Sequence, residues 1–150
     1  MKIFVGADHK GFELKTAVIK YLNTVGYKAI DVGDKEFSPD DDFPVFATAA
    51  VNKVLCADSN EEARAVLICG SGQGMVMAAN RHRGIRAGLG WSSEAARGIR
   101  NDEDSNVLAL PAQIFEGNNK KAFEVIDTWL NTPFAGAARY IRRLNELDNL

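Results

Sequence analysis

The sequence predicts an α/β protein, a parallel sheet covered by helices on both faces in the doubly wound arrangement. Three observations predict it. Short, apolar, β-prone runs alternate with longer segments of helical periodicity along the whole chain. Clusters of polar, reactive residues follow the β-prone runs: DHKG after the first, CGSGQG after the third, GWSS after the fourth. Ligands in such folds sit there, outside the carboxyl ends of the strands. Finally, 150 residues are enough for one domain, residues 1–150, with a full core.

The elements follow in order. Ile3 to Ala7 is apolar and β-prone, a buried strand. Lys10 to Val25 is helical, with Leu14, Val18, Tyr21, Leu22 and Val25 on one face, and Gly26 stops it. Tyr27 to Val32 is the second strand, and Gly33 to Pro44 an acidic loop containing SPDDDFP. Val45 to Ala57 reads as a helix with Phe46, Ala50 and Val54 one turn apart. Arg64 to Cys69 is strand three; a helix from Gly74 to Asn80 ends at RHRG. Ile85 to Leu89 is strand four, and Ser92 to Arg100 a helix capped by Ser92 or Ser93. Asn106 to Leu110 is strand five, Gly117 to Leu130 a helix, and Gly136 to Leu147 the C-terminal helix. Right-handed crossovers turn this pattern into a three-layer sandwich. The clusters after strands one and three become neighbours if those strands pair.

Composition excludes several classes. With 46% apolar and 25% charged residues the balance is that of an ordinary globular protein. A net charge of −2 gives no pull toward nucleic acid or membrane. Two cysteines are too few for a disulfide scaffold and read as free thiols. The opening MKIFVGA reads as a strand, not a signal peptide, and no apolar run approaches the ~18–20 residues of a membrane span. A cytoplasmic location is the expectation. Arg81, His82, Arg83 and Arg86 form a basic run, but a nucleic-acid surface needs more positive charge and stacking aromatics.

The glycine turn, Gly70, Gly72 and Gly74 with Ser71 between two of them, fits neither common nucleotide motif. Met75 stands where a dinucleotide fingerprint needs its third glycine, and no lysine follows as a P-loop requires. What remains is backbone: N–H groups turned inward at a helix start, a cradle for a phosphate or a developing oxyanion. Cys69 sits at its edge. Lowering a thiol from about 8.5 to ~7.5 takes roughly 1.4 kcal/mol, within reach of a helix N-terminus in partly buried geometry. The plain alternative is a small apolar plug at a strand end. Cys56, on a helix with no such context, reads as structural.

Asp8 and His9 follow strand one. Asp8 is either a helix cap or a sugar ligand; His9 is either a surface residue or a phosphate ligand. On the tail, Tyr140, Ile141, Leu144 and Leu147 share one side of a helix and Arg139, Arg142 and Arg143 the other. That basic face is either solvated, or Arg139 and Arg143 grip one phosphate from consecutive turns.

KIFVGADHKGFELK, VLICGSGQGMVMAANRHRGIRAG, NVLAL and FAGAARYIRRL resemble the ribose-5-phosphate isomerase B family, which includes galactose-6-phosphate isomerase subunits. The resemblance implies a Rossmann-like α/β/α sandwich with a five-stranded parallel sheet and a C-terminal helix. It implies homodimers or homotetramers with sites shared between subunits, and aldose–ketose isomerisation of a sugar phosphate through a cis-enediolate, without metal or cofactor. By the matching motifs, Cys69 is the base between C1 and C2, where some relatives use a glutamate at the position of Met75. Ser71 moves protons at the sugar oxygens, the amides from Gly70 through Gly72 to Gly74 hold the enediolate oxygen, and Asp8 contacts the sugar and assists ring opening. His9, Arg139 and Arg143 bind phosphate, and Asn80, closing the glycine motif, is a further substrate contact. Phe43 stands where relatives often carry tyrosine and brings no hydroxyl.

Two departures touch substrate handling. Aligned on NVLAL, Asp102 replaces the family's ring-opening histidine, and Gln113 replaces an arginine that usually binds phosphate. Ribose 5-phosphate is the expected substrate. A tetrose or hexose phosphate, or silent sugar-phosphate binding, is the alternative.

Overall fold

The computed structural model describes residues 1–58 and 60–150. Five parallel strands, β1 (Lys2–Ala7), β2 (Lys28–Asp31), β3 (Ala63–Cys69), β4 (Ala87–Leu89) and β5 (Val107–Pro111), form one sheet in the order β2-β1-β3-β5-β4. The helices are α1 (Phe12–Thr24), α2 (Phe43–Leu55), α3 (Gln73–Ala79), α4 (Ser93–Glu103), α5 (Ala112–Phe115), α6 (Asn119–Asn131) and α7 (Ala138–Leu147).

The period-two alternation of the strands builds two cores. Ile3, Val5, Val66, Ile68, Leu108 and Leu110 face α1, α4 and α6. Phe4, Ala65, Leu67, Cys69, Val107 and Ala109 face α2 and α3. The helix after β1 therefore lies on one face and the helix after β3 on the other. Between those two strands the chain reverses direction across the sheet, and the loops splay apart into a crevice. β1 and β3 do pair, from Lys2 opposite Ala63 to Ala7 opposite Ile68. The DHKG and CGSGQG turns therefore leave the same sheet edge side by side.

The elements differ from expectation in local ways. The first helix does not begin at Lys10: a 3-10 turn, His9–Gly11, precedes α1. Asp8 holds it, its Oδ1 accepting the amides of Lys10 and Gly11 at 3.0 and 3.1 Å. A Cβ at Gly11 would stand 2.6 Å from the Ile68 carbonyl, so glycine lets this turn lie directly on β3. The helix expected at Val45 starts at Phe43, with Pro44 in its first turn, where a missing N–H costs nothing. Ser92 caps α4 by accepting the Ala95 amide, and α4 runs three residues past Arg100. α5 has no counterpart in the sequence expectations; it is a single turn closing β5.

Lys15 is almost wholly buried, with its ammonium 3.0 Å from both carboxylate oxygens of Asp31 and bonded to the Asp34 carbonyl. That ion pair anchors the start of the acidic loop. At the other end of the sheet, Asn80 binds the Ala87 backbone in both directions, and Arg86 ties β4 to Asp104 and Asp148. Of the apolar side of α7 only Leu144 is buried; Ile141 and Leu147 remain half exposed.

Candidate active site

Three loops meet at the carboxyl edge of β1 and β3. Strand alternation points Cys69 toward α2 and α3, and the glycine turn folds back over it. Cys69 is 5% exposed, and its Sγ accepts the Gly72 amide at 3.1 Å. Gly72 makes that bond by adopting φ +74°, where a Cβ would stand 2.4 Å from the Leu89 side chain. That bond points the amide at the sulfur. It also removes Gly72 from the set of amides free for a ligand oxygen. The Ser71 amide has no protein partner among the described residues, and the first turn of α3 lacks intrahelical acceptors for Gly74 and Met75. Ser71 itself is exposed at the rim.

Asp8 lies beside this turn, with its amide on the Ile68 carbonyl. It is the cap that one reading of the sequence expects. Both cap bonds fall on Oδ1, which leaves Oδ2 without a protein partner among the described residues. Burial pushes its carboxyl above the ordinary value, opposed by the Gly11 amide and by His9. Phe43 completes the wall: its ring lies against Gly74, where a Cβ would meet it at 2.9 Å. Lys10 and Gln113 hang over Gly70 in the same way, and together they line a cavity of about 340 Å³.

One participant escaped sequence reasoning. Asp41, read as part of an acidic loop, places Oδ1 3.0 Å from the His9 amide and 2.6 Å from His9 Nδ1. The only signal in the sequence is its place in the DDD run ahead of Phe43.

Four expected site residues lie elsewhere in the chain. α3 and α4 run back against the strands, so their C-terminal ends reach the amino edge of the sheet. Asn80 therefore stands at the far end of α3, its amide committed to Ala87. The substrate contact expected of it is not available within this chain. Asp102, bonded to the Asn101 amide, sits near the end of α4. It is separated from Cys69 by the length of β5, about 16 Å at ~3.3 Å per residue. Arg139 and Arg143 are exposed on α7. The Tyr140 hydroxyl, and more weakly the Asp102 carboxylate, favour the charged Arg139 guanidinium. A cavity of about 500 Å³ also lies at this amino edge, lined by Arg81, Arg83 and Arg86 and by the end of α7. Within that basic run Arg86 is already engaged with Asp104 and Asp148, and Arg83 with Asn149.

No helix of the described residues is long and apolar enough to cross a membrane. Among the described residues no group of three or more His, Cys, Asp or Glu could hold a metal ion.

Fold and site together define the class: a doubly wound α/β protein with a thiol and a glycine turn at the switch point of its sheet. Comparison with known proteins narrows it. The profile of the Ribose/Galactose Isomerase family matches residues 3–147. Ribose-5-phosphate isomerase B of Mycolicibacterium paratuberculosis is 31% identical over 147 residues, 98% of this chain and 89% of that one. The crystal structure of a ribose 5-phosphate isomerase from Thermotoga maritima superimposes with a TM-score of 0.91 at 39% identity, covering 99% of this chain and 98% of that one. Ribose-5-phosphate isomerase B from Mycoplasma genitalium, solved with ribulose-5-phosphate bound, gives 0.91 at 31% identity, with 99% and 94% covered. This chain belongs to the ribose/galactose isomerase family, and by class it is an aldose–ketose isomerase.

Proposed function

We propose that this chain interconverts ribose 5-phosphate and ribulose 5-phosphate, with Cys69 as the base. The carrying observation is the Gly72 amide on Cys69 Sγ, one residue past the Ile68 carbonyl that binds the Asp8 amide. The open-chain aldose presents its C2 hydrogen to the thiolate. The C2–H bond breaks, its proton moves to sulfur, and its electrons pass through C1 to the carbonyl oxygen. The amides of Ser71, Gly74 and Met75 face that developing charge. Ser71 carries the hydroxyl proton from O2 to O1, and the thiol returns its proton to C1. Asp8, through the free Oδ2, holds the sugar and assists ring opening. His9 binds the phosphate, a handle whose energy orients the reacting carbons.

Asp102, Arg139 and Arg143 enter from a second copy of the chain. Within one chain the sheet holds them away from Cys69, and α7 leaves Ile141 and Leu147 uncovered on its apolar side. A homodimer that covers this face and seats the basic face of α7 on its partner's crevice supplies both missing parts.

A panel of aldose and ketose phosphates tests the reading, with solvent deuterium incorporation at the sugar carbon as the readout. Exchange and turnover on ribose 5-phosphate support it. Exchange only on a tetrose or hexose phosphate moves the substrate, as Asp102 and Gln113 would favour. Binding without any exchange overturns the catalytic role.

A further inference from the structure

We propose that Asp41 is a positioning residue for His9, fixing the imidazole so that Nε2 alone is presented to the substrate. The inference rests on the reading of His9 as a substrate ligand, and one arm of its test stands apart from that reading.

One carboxylate oxygen carries the whole contact. Asp41 Oδ1 accepts the His9 backbone amide at 3.0 Å and stands 2.6 Å from Nδ1 of the same residue. An ionised carboxylate only accepts hydrogen bonds, so Nδ1 must carry a proton to meet it. The free imidazole prefers the other tautomer in water; here the carboxylate selects Nδ1–H and turns Nε2 outward. The backbone bond fixes the Cα and the ring bond fixes the rotation, so one oxygen determines both where the ring begins and how it turns. The Asp41 side chain is 7% exposed, so water competes poorly for this oxygen, whereas the His9 side chain is 27% exposed and reaches solvent. Two residues further on, Phe43 lies on Gly74. The segment from Asp41 to Phe43 thus touches the turns after both β1 and β3.

The chain holds only two histidines, His9 and His82, so the imidazole nitrogens of the full-length protein separate in a long-range proton–nitrogen spectrum, and a His82→Asn variant assigns them. The expected result is His9 as the Nδ1–H tautomer in the unliganded protein. Asp41→Asn keeps an acceptor oxygen and should keep that tautomer. Asp41→Ala should release the ring to a mixture dominated by Nε2–H. An Nε2–H tautomer in the parent protein, or an unchanged tautomer in Asp41→Ala, overturns the proposal whatever the enzyme turns over.

The second arm is a double-mutant cycle on ribose 5-phosphate. Asp41→Ala should raise KM about tenfold with kcat changed less than about threefold, and should add nothing in a His9→Ala background. Additive losses would show that Asp41 acts through the fold and not through His9. If Asp41→Ala fails to fold, Asp41→Asn carries this arm as well. It should raise KM less than His9→Ala does, and a loss as large as that of His9→Ala would overturn the positioning role.

Discussion

The sulfur of Cys69 accepts the backbone N–H of Gly72 at 3.1 Å, three residues along the same turn. A thiol so placed is nearly closed to solvent and held against the turn by a backbone donor. Cys69→Ser should lower kcat by on the order of 10²–10⁴, the usual contribution of a positioned base, with KM for the sugar phosphate changed little. Steady-state kinetics on purified protein checks this. Retained turnover would remove the thiol from the proton transfer.

Gly72 is held to glycine twice over. Its φ of +74° penalises any Cβ, and the added carbon would meet Leu89 at 2.4 Å and the Pro111 nitrogen at 3.2 Å. Gly72→Ala should cost about 2–5 kcal/mol, from backbone strain of ~1–2 and overpacking of ~1–3. Gly26→Ala is the control: φ is +93° but no atom lies within 4 Å, so only the strain remains, about 1–2 kcal/mol. Denaturant midpoints of the two variants should separate them.

Burial lifts the Asp8 carboxyl above its ordinary 3.8. The folded protein therefore holds that proton more tightly than the unfolded chain does. This linkage favours folding at low pH, and the advantage is lost as pH rises from 3.8 through the raised value. Asp8→Asn keeps an acceptor for the two cap amides and removes the titration. Its stability relative to the parent should improve between about pH 4 and about pH 7, measured by urea unfolding, while its isomerase activity falls. A constant difference across that interval would contradict the burial effect.

If Cys69 and Arg143 of one site belong to different chains, two inactive variants should repair one another. Cys69→Ser mixed with Arg143→Ala, unfolded and refolded together, should recover about a quarter of the parent activity. Half the dimers are then mixed, and each mixed dimer holds one intact site of two. No recovery from the mixture would place both residues in one chain's site, or in none.

Much of this is legible in the sequence, for reasons particular to each residue. Strand-end polar clusters and the glycines around Ser71 follow from short-range pattern, whereas the pairing of the first and third strands stays conditional until the sheet order is seen. Asp41 is not legible, because its partner is 32 residues away and nothing in a run of three aspartates marks which one reaches His9. Asn80 reads as part of the glycine motif because it follows Gly74 closely along the chain, whereas the two turns of α3 carry it to the opposite edge of the sheet. Pro44 reads as a breaker until it is seen in a first turn, which is why the sequence places the start of α2 too late. The half-exposed apolar side of α7 reads, in sequence, like any amphipathic helix; only the folded chain shows that its own body leaves it uncovered.

The position of β5 between β3 and β4 has a consequence for how the molecule is made. Residues emerge from the ribosome in chain order, so β4 is synthesised before β5, the strand that pairs with it. Until Val107–Ala109 arrive, its three residues have no ladder to join, and the half-sheet β2-β1-β3 must wait with an open flank. The sheet is therefore completed by the last strand to be translated, which closes the flank of β3 and gives β4 its ladder.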